Sequence, residues 1–293
     1  MEYEGQICRA PMEKASYMLP VAVGCAYNGC RFCMLFKHLK YRELPIEQIE
    51  QEILRVKNMG GNPSRVFLGD GNAFGLSTEK LLKICEILNK NFCNIQRINM
   101  DATITNISEK SDEELMLLRK AGISCLYLGI ESGLDDVLAF MNKDHNLAEA
   151  YKQISRLKKF GYNYSAHIMT GIAGKGRGSE NAVATAEFLN LTKPESITNF
   201  SMFVHKDAPI YTEIEAGTFE PADELECLKE ERRLIELLDI DGVDFDGFND
   251  FIQVRIRGKL PQDREKMLEK LDKEIKKLEA QKPVVAYIEE TIW

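Results

Sequence analysis

Gly24-Cys25-Ala26-Tyr27-Asn28-Gly29-Cys30-Arg31-Phe32-Cys33 sets three thiols, Cys25, Cys30 and Cys33, inside one short run, with Phe32 just before the last of them. Closely spaced thiolates hold a soft metal centre, and no fourth cysteine follows nearby to complete the set. A centre held by three protein ligands keeps one coordination position for a substrate or cofactor, so the run points to chemistry. Two other readings stay open on spacing alone. C-x4-C-x2-C is also the plant-type ferredoxin pattern for a [2Fe-2S] cluster, which requires a later cysteine such as Cys85 or Cys93. A zinc site would need a fourth ligand, for which His38 is the nearby candidate.

Outward from this run, short β-branched segments alternate with longer amphipathic ones, the pattern of a parallel sheet with crossover helices. The periodicity predicts strands over Met18–Val23, Arg65–Leu68, Ile95–Met100, Cys125–Ile130, Tyr164–Met169 and Ile197–Phe203. It predicts helices near Pro45–Asn58, Thr78–Asn89, Ser111–Ala121, Leu147–Phe160, Ser179–Leu191 and Asp223–Leu238. Ser111 with Glu114 makes a capping box, and Gly122 and Gly161 stop the helices before them. The expected fold is therefore α/β, an incomplete (β/α)6 TIM-like barrel with a C-terminal helical extension. Its core covers residues 1–240, with 1–16 leading in, and the extension covers 241–293. In such barrels the functional loops gather at the carboxyl ends of the strands. The cysteine run follows the first strand, LGDGNAFG the second, IESG the fourth and GIAGKGRG the fifth, so all four face one mouth.

The chain has 293 residues, enough for a full core in one large domain. Its 38 basic and 46 acidic side chains leave a net charge of -8, which argues against a nucleic-acid surface as the main interaction. The N-terminal stretch lacks a signal-peptide core and an Arg-rich transit pattern, and no apolar run reaches membrane-spanning length, so a cytoplasmic protein without a membrane segment is expected. The remaining five of eight cysteines (Cys8, Cys85, Cys93, Cys125 and Cys227) are scattered singly, which fits reduced thiols rather than a disulfide framework.

The triplet with Phe32, the β/α order, GDGNA after the second strand, YLGIESGLDDVL at the fourth and GIAGKG at the fifth together resemble the radical S-adenosylmethionine (SAM) superfamily. CAYNGCRFC is similar to the C-x4-C-x2-C version in the coproporphyrinogen-oxidase-like or Elongator-type group, as is GKLPQDREKMLEKLD. The superfamily's commoner spacing is C-x3-C-x2-C. The resemblance implies a [4Fe-4S] cluster on Cys25, Cys30 and Cys33, with SAM on the fourth iron. It further implies an enzyme that cleaves SAM reductively to a 5′-deoxyadenosyl radical, which abstracts hydrogen from an unidentified small-molecule or protein substrate. An external electron donor such as flavodoxin or ferredoxin is implied with it. The rival from another class is an iron-sulfur electron-transfer or cluster-carrier protein without SAM cleavage.

The resemblance also assigns expectations to single residues, and elementary chemistry fits them. Gly71 permits close backbone approach at the second turn, where Asp70 and Asn72 offer oxygen acceptors for the SAM ammonium. Glu131 is placed to accept both ribose hydroxyls, with Ser132 as the lesser candidate. Ile172 and Gly174 match the apolar and backbone surface laid against adenine. His167 alternates with Ser165 and Met169 and so can face the interior, toward SAM or substrate, and Asp101 is a further pocket-lining candidate. The glycines from Gly171 to Gly178 do not meet the Walker pattern. Cys227 reads as a core residue, and no auxiliary cluster or catalytic residue is assigned. From about residue 240 the pattern changes, and Asp239, Asp241, Asp244 and Asp246 read as an acidic loop. Leu268, Leu271, Ile275 and Leu278 then form one apolar helical stripe, expected to pack on the barrel or close its substrate side, with a dimer seam as the alternative.

Overall fold

A computed structural model of the chain describes residues 7–288, so the first six residues of the expected lead-in lie outside the described residues. One sheet takes its strands in chain order: β1 (Tyr17–Pro20), β2 (Arg65–Gly69), β3 (Arg97–Ala102), β4 (Ile123–Glu131), β5 (Asn163–Thr170), β6 (Ser196–Ser201), β7 (Val243–Asn249) and β8 (Val254–Leu260). Strands β1 to β7 run parallel to their neighbours and β8 returns antiparallel. Parallel neighbours require crossovers, which carry α1 (Ile46–Asn58), α2 (Thr78–Asn91), α3 (Asp112–Lys120), α4 (Leu147–Lys159), α5 (Gly178–Thr192) and α6 (Glu224–Leu237), with α7 (Arg264–Glu279) after β8. β1 and β8 are the two ends of the sheet, so the α/β fold is a TIM-like barrel left open.

Period-two alternation decides which face of each strand meets the helices. Leu19, Val66, Leu68, Ile98, Met100, Leu126, Leu128 and Ala166 join the helices in the main apolar core. The intervening positions turn inward, where Phe67, Tyr127, His167, Phe200 and Phe248 follow one another at ring-centroid separations of 5.5–5.8 Å. Side-chain caps fix the helix starts: Ser77 accepts from Lys80 N–H at 3.2 Å and Asn146 from Glu149 N–H at 2.9 Å. The expected Ser111/Glu114 capping box is present, and Asp223 with Glu226 makes a second.

One expectation changes. Residues 243–249 form a seventh parallel strand and not part of an acidic loop: Asp246 is buried, and Arg255 on β8 donates to it at 2.8 and 2.6 Å. The Val243/Phe245 alternation outweighs the local negative charge because the neighbouring antiparallel strand supplies the counter-charge. The α7 stripe lies in the outer helical layer, against α6 and β8. Met267, Leu271 and Ile275 are buried there in the main core, and Leu268 and Leu278 pack beside them.

Candidate cofactor site

The cysteine run leaves β1 through Ala22–Val23, which pairs with Arg42–Glu43, so the chain folds back on itself around the three thiols. Cys25, Cys30 and Cys33 are half-buried and free, and each lies within the electrostatic reach of another. Burial pushes the Cys33 thiol up to about 11, with Cys30 and Cys25 adding to the rise. Backbone donors oppose it: the Leu35 N–H is aimed at Cys33, and those of Tyr27 and Asn28 at Cys25. Asn28, held in the left-handed region at φ 42°, has its N–H 3.5 Å from the Cys25 sulfur and donates from its amide to Phe36 O at 2.9 Å. N–H groups aimed at sulfur are how a peptide loop stabilises thiolates around a cluster. Among the described residues no three His, Cys, Asp or Glu side chains converge on a point that one metal ion would fill. His38 is exposed, and Cys85 lies in the apolar core. Three neighbouring thiols, with N–H groups aimed at the sulfurs of Cys25 and Cys33, form a donor set that fits a cluster taking one thiolate on each of three irons.

The turn after β2 packs straight onto this loop. At Gly71, with φ +36°, an added Cβ would lie 2.7 Å from Gly24 O and 2.9 Å from Cys25 Cβ. The Asp70 carboxylate accepts from Cys8 N–H at 3.1 Å and from Gly71 N–H at 2.9 Å, so it holds the turn and the N-terminal segment together. Asn72 is only 2% exposed, and its Oδ1 lacks a hydrogen-bond partner. A buried orphan acceptor in the turn that packs on Cys25 is the kind of group that a cofactor donor satisfies.

At the end of β4, Glu131 is in the left-handed region at φ 64° and its Oε1 accepts from Lys143 Nζ at 3.2 Å. Gly129 makes room for both, since a Cβ there would lie 2.4 Å from Glu131 Oε1 and 3.0 Å from Lys143 Nζ. Ser132 faces away: fully buried, it donates to Asn181 Oδ1 at 2.5 Å. Asn181 donates to Glu230 at 2.6 Å, and Glu230 accepts Gly171 N–H at 2.9 Å. This buried chain links the loops after β4 and β5 through α6. Burial pushes the Glu230 carboxyl up to about 7, against the bonds from Gly171 and Asn181.

His167 faces the barrel interior between Tyr127 and Phe200, and its Nε2 lacks a partner. Burial, then Lys143, lowers it to about 4, so the imidazole is neutral at physiological pH. Asp101 lies deeper, pushed up to about 8 by burial and then by Asp70 and Glu13. Ile172 is buried in a second apolar cluster with Met34, Met202 and Phe219, against which Phe32 packs. Gly174 lines a cleft of about 370 Å³ with Phe140 and Phe219. Cys227 sits behind Gly171, where an added Cβ would meet its sulfur at 2.7 Å. Sequence reasoning missed Lys143 and also Glu13, a buried carboxylate that accepts from Asn99 at 2.6 Å and Tyr127 at 2.7 Å. Neither sits in a motif; both acquire their surroundings only on folding.

The sequence profile of the Radical SAM superfamily matches residues 19–189, more than half of the chain, including the ends of β1 to β5. The chain belongs to the radical SAM superfamily. Proteins of this superfamily bind a [4Fe-4S] cluster and SAM. The chain is 25% identical over 196 residues to the heme chaperone HemW of Bacillus subtilis, covering 64% of this chain and 51% of that protein. It thus spans about half the length of the curated relatives it matches. Its fold is similar to that of archaeal Elp3 from Methanocaldococcus infernus, with a TM-score of 0.58 at 17% identity over 88% of this chain and 63% of that one. It is also similar to coproporphyrinogen III oxidase (HemN) from Escherichia coli, with a TM-score of 0.52 at 15% identity over 80% and 62%. Among the described residues no helix is long and apolar enough to cross a membrane.

Proposed function

We propose that this radical SAM protein is an enzyme that cleaves SAM reductively and uses the radical chemistry so initiated to take hydrogen from a substrate, a small molecule or a protein side chain. The observation that carries the reading is the meeting of three half-buried thiols, N–H groups aimed at the sulfurs of Cys25 and Cys33, and the orphan Asn72 acceptor in the turn packed on Cys25. When bound, the cluster and SAM supply one-electron cleavage of a sulfonium and a route to unactivated C–H bonds. The chain's own residues bind and orient. Cys25, Cys30 and Cys33 hold the cluster, Gly71 leaves the space beside it, and Asn72 accepts from the SAM ammonium, with Asp70 bracing the turn. Glu131 accepts the ribose hydroxyls. Ser132 contributes by fixing the backbone after it, Ile172 and Gly174 border the adenine, and neutral His167 faces the interior as a hydrogen-bonding group for SAM or substrate. A one-electron carrier such as flavodoxin or ferredoxin supplies the reductant.

The similarity to a heme chaperone favours a second reading, in which the chain holds the same cofactors but carries heme and transforms no substrate. Anaerobic reconstitution tests what both readings share: about four iron and four sulfide per chain are expected. Cys25→Ala, Cys30→Ala and Cys33→Ala each lose the cluster, whereas Cys85→Ala keeps it. A [2Fe-2S] spectrum that depends on Cys85 or Cys93 would overturn both.

A further inference from the structure

We propose that Lys143 is the fixed counter-charge of the thiolate centre and sets the reduction potential of the cluster it holds. The inference rests on the cluster reading above and goes beyond it by giving a role to a side chain outside every strand-end motif.

The fold takes unusual care over where this ammonium goes. Lys143 closes the turn after the short helix Asp135–Phe140, with its N–H donating to Leu138 O at 2.9 Å. The two residues before it are stitched to the cysteine loop. Tyr27 OH donates to Asn142 O at 2.5 Å, the Asn142 amide to Gly29 O at 2.9 Å, and Arg31 N–H to Met141 O at 2.9 Å. Asn142 reaches these partners from the left-handed region at φ 52°. The residue after is held as firmly, because Thr105 donates its N–H to the Asp144 carboxylate and its hydroxyl to the Asp144 carbonyl, both at 2.9 Å. The side chain between these anchors is 7% exposed, faces the Glu131 carboxylate, and lies 5.9 Å from the centroid of Phe32, between Cys30 and Cys33 in the chain.

A buried ammonium is costly to desolvate even with carboxylates near it, here Glu131 at 3.2 Å and the neighbouring Asp144 within electrostatic reach. The cysteine run alongside changes that balance, because the bonds from Tyr27, Asn142 and Arg31 and the Phe32 ring hold the ammonium against the loop that carries the thiols. Reduction adds one negative charge to a thiolate-bound centre, so a cation fixed in a poorly solvated site stabilises the reduced form and raises the potential. Glu131 acts in the opposite sense, because it neutralises part of that cation. The pair forms a charge setting beside the centre, and Gly129 is the residue that leaves space for it.

The test is a redox titration of the reconstituted full chain, followed by electron paramagnetic resonance without SAM, with iron and sulfide quantified in each sample. Lys143→Gln is expected to raise the oxidised-to-reduced ratio at fixed potential about tenfold, a fall of ~59 mV for one electron. Glu131→Gln is expected to shift the potential upward, and Lys143→Arg to stay nearer the wild type than Lys143→Gln does. A lysine that only pins the loop would lower cluster content without this opposition of signs. The proposal is overturned if Lys143→Gln and wild type share one potential, or if Lys143→Gln and Glu131→Gln move it the same way. If Lys143→Gln fails to hold a cluster, Glu131→Gln decides: an unchanged or lowered potential rejects the proposal, and a raised one supports it. A wild-type chain that takes up no cluster removes the parent reading, and the inference falls with it before any variant is compared.

Discussion

Gly71→Ala puts a methyl group into the contact between the second-strand turn and the cysteine loop. Its Cβ would lie 2.7 Å from Gly24 O, 2.9 Å from Cys25 Cβ and 3.0 Å from Cys25 Cα. Two of these atoms are backbone and the third is the root of a ligand side chain, so none can swing aside as the end of a flexible chain would. Relief requires the loop carrying Cys25 to move, and overpacking of this kind costs about 1–3 kcal/mol. The left-handed backbone at φ +36° adds about 1–2 kcal/mol for any residue with a Cβ. Together they come to roughly 2–5 kcal/mol, spent where the metal ligands must keep their spacing. Gly60→Ala separates the two terms, because Gly60 is also left-handed at φ +82° but an added Cβ there meets nothing within 4 Å. Thermal melting and iron quantification of both reconstituted variants are the assays. Gly60→Ala should lower stability by the backbone term alone and retain full cluster. Gly71→Ala should fall further and lose most of its iron. Equal melting temperatures and equal iron in the two variants would refute the claim that this turn is packed on the ligand loop.

Glu131→Gln should weaken SAM binding to cluster-loaded protein about tenfold or more, since a charge-assisted hydrogen bond contributes about 1.5–3 kcal/mol, and isothermal titration measures it; unchanged affinity would make Glu131 a rim residue. Stability should fall as well, because the buried Lys143 ammonium loses its carboxylate. Burial holds Glu224, Glu230 and Glu231 near 7 when folded, above the ordinary carboxylate value, so the folded state keeps protons that the unfolded chain releases. Stability should therefore decline as pH rises from about 4.5 to 7, by about 3 kcal/mol for one such acid. Glu231→Gln should flatten that decline in urea unfolding at pH 5.5 and 8, and an identical slope in the variant would show that Glu231 does not carry it.

The sequence revealed most where its signals are local. Strand periodicity, helix caps and the cysteine spacing act over a few residues, and position at strand ends is enough to place the four motifs at one mouth. The structure separates roles within those motifs: Ser132 turns outward to Asn181, Asp70 braces the turn, and Asn72 is left with the orphan oxygen. Lys143 was illegible because Asn-Lys-Asp-His reads as a solvated polar stretch, and only loop packing buries it. Strand β7 was hidden for a related reason, its acids reading as a loop until Arg255 on the returning strand pairs Asp246. Gly247 carried an unread signal in that segment. An added Cβ there would meet Glu231 Oε1 at 1.7 Å, so the glycine marks where a buried acid from α6 reaches the sheet.

The central claim is tested most directly by following SAM in anaerobic, dithionite-reduced, cluster-loaded protein, with Cys30→Ala subtracted as the chemical background. The account predicts enzyme-dependent methionine and 5′-deoxyadenosine, formed slowly alone and faster with the right substrate, because the mouth is built to orient a sulfonium against the cluster. Methylthioadenosine alone would show cleavage of a different carbon–sulfur bond and reject this mechanism. A full, reducible cluster that binds SAM yet yields neither product across a broad metabolite screen would contradict the enzyme reading and leave the carrier reading in its place.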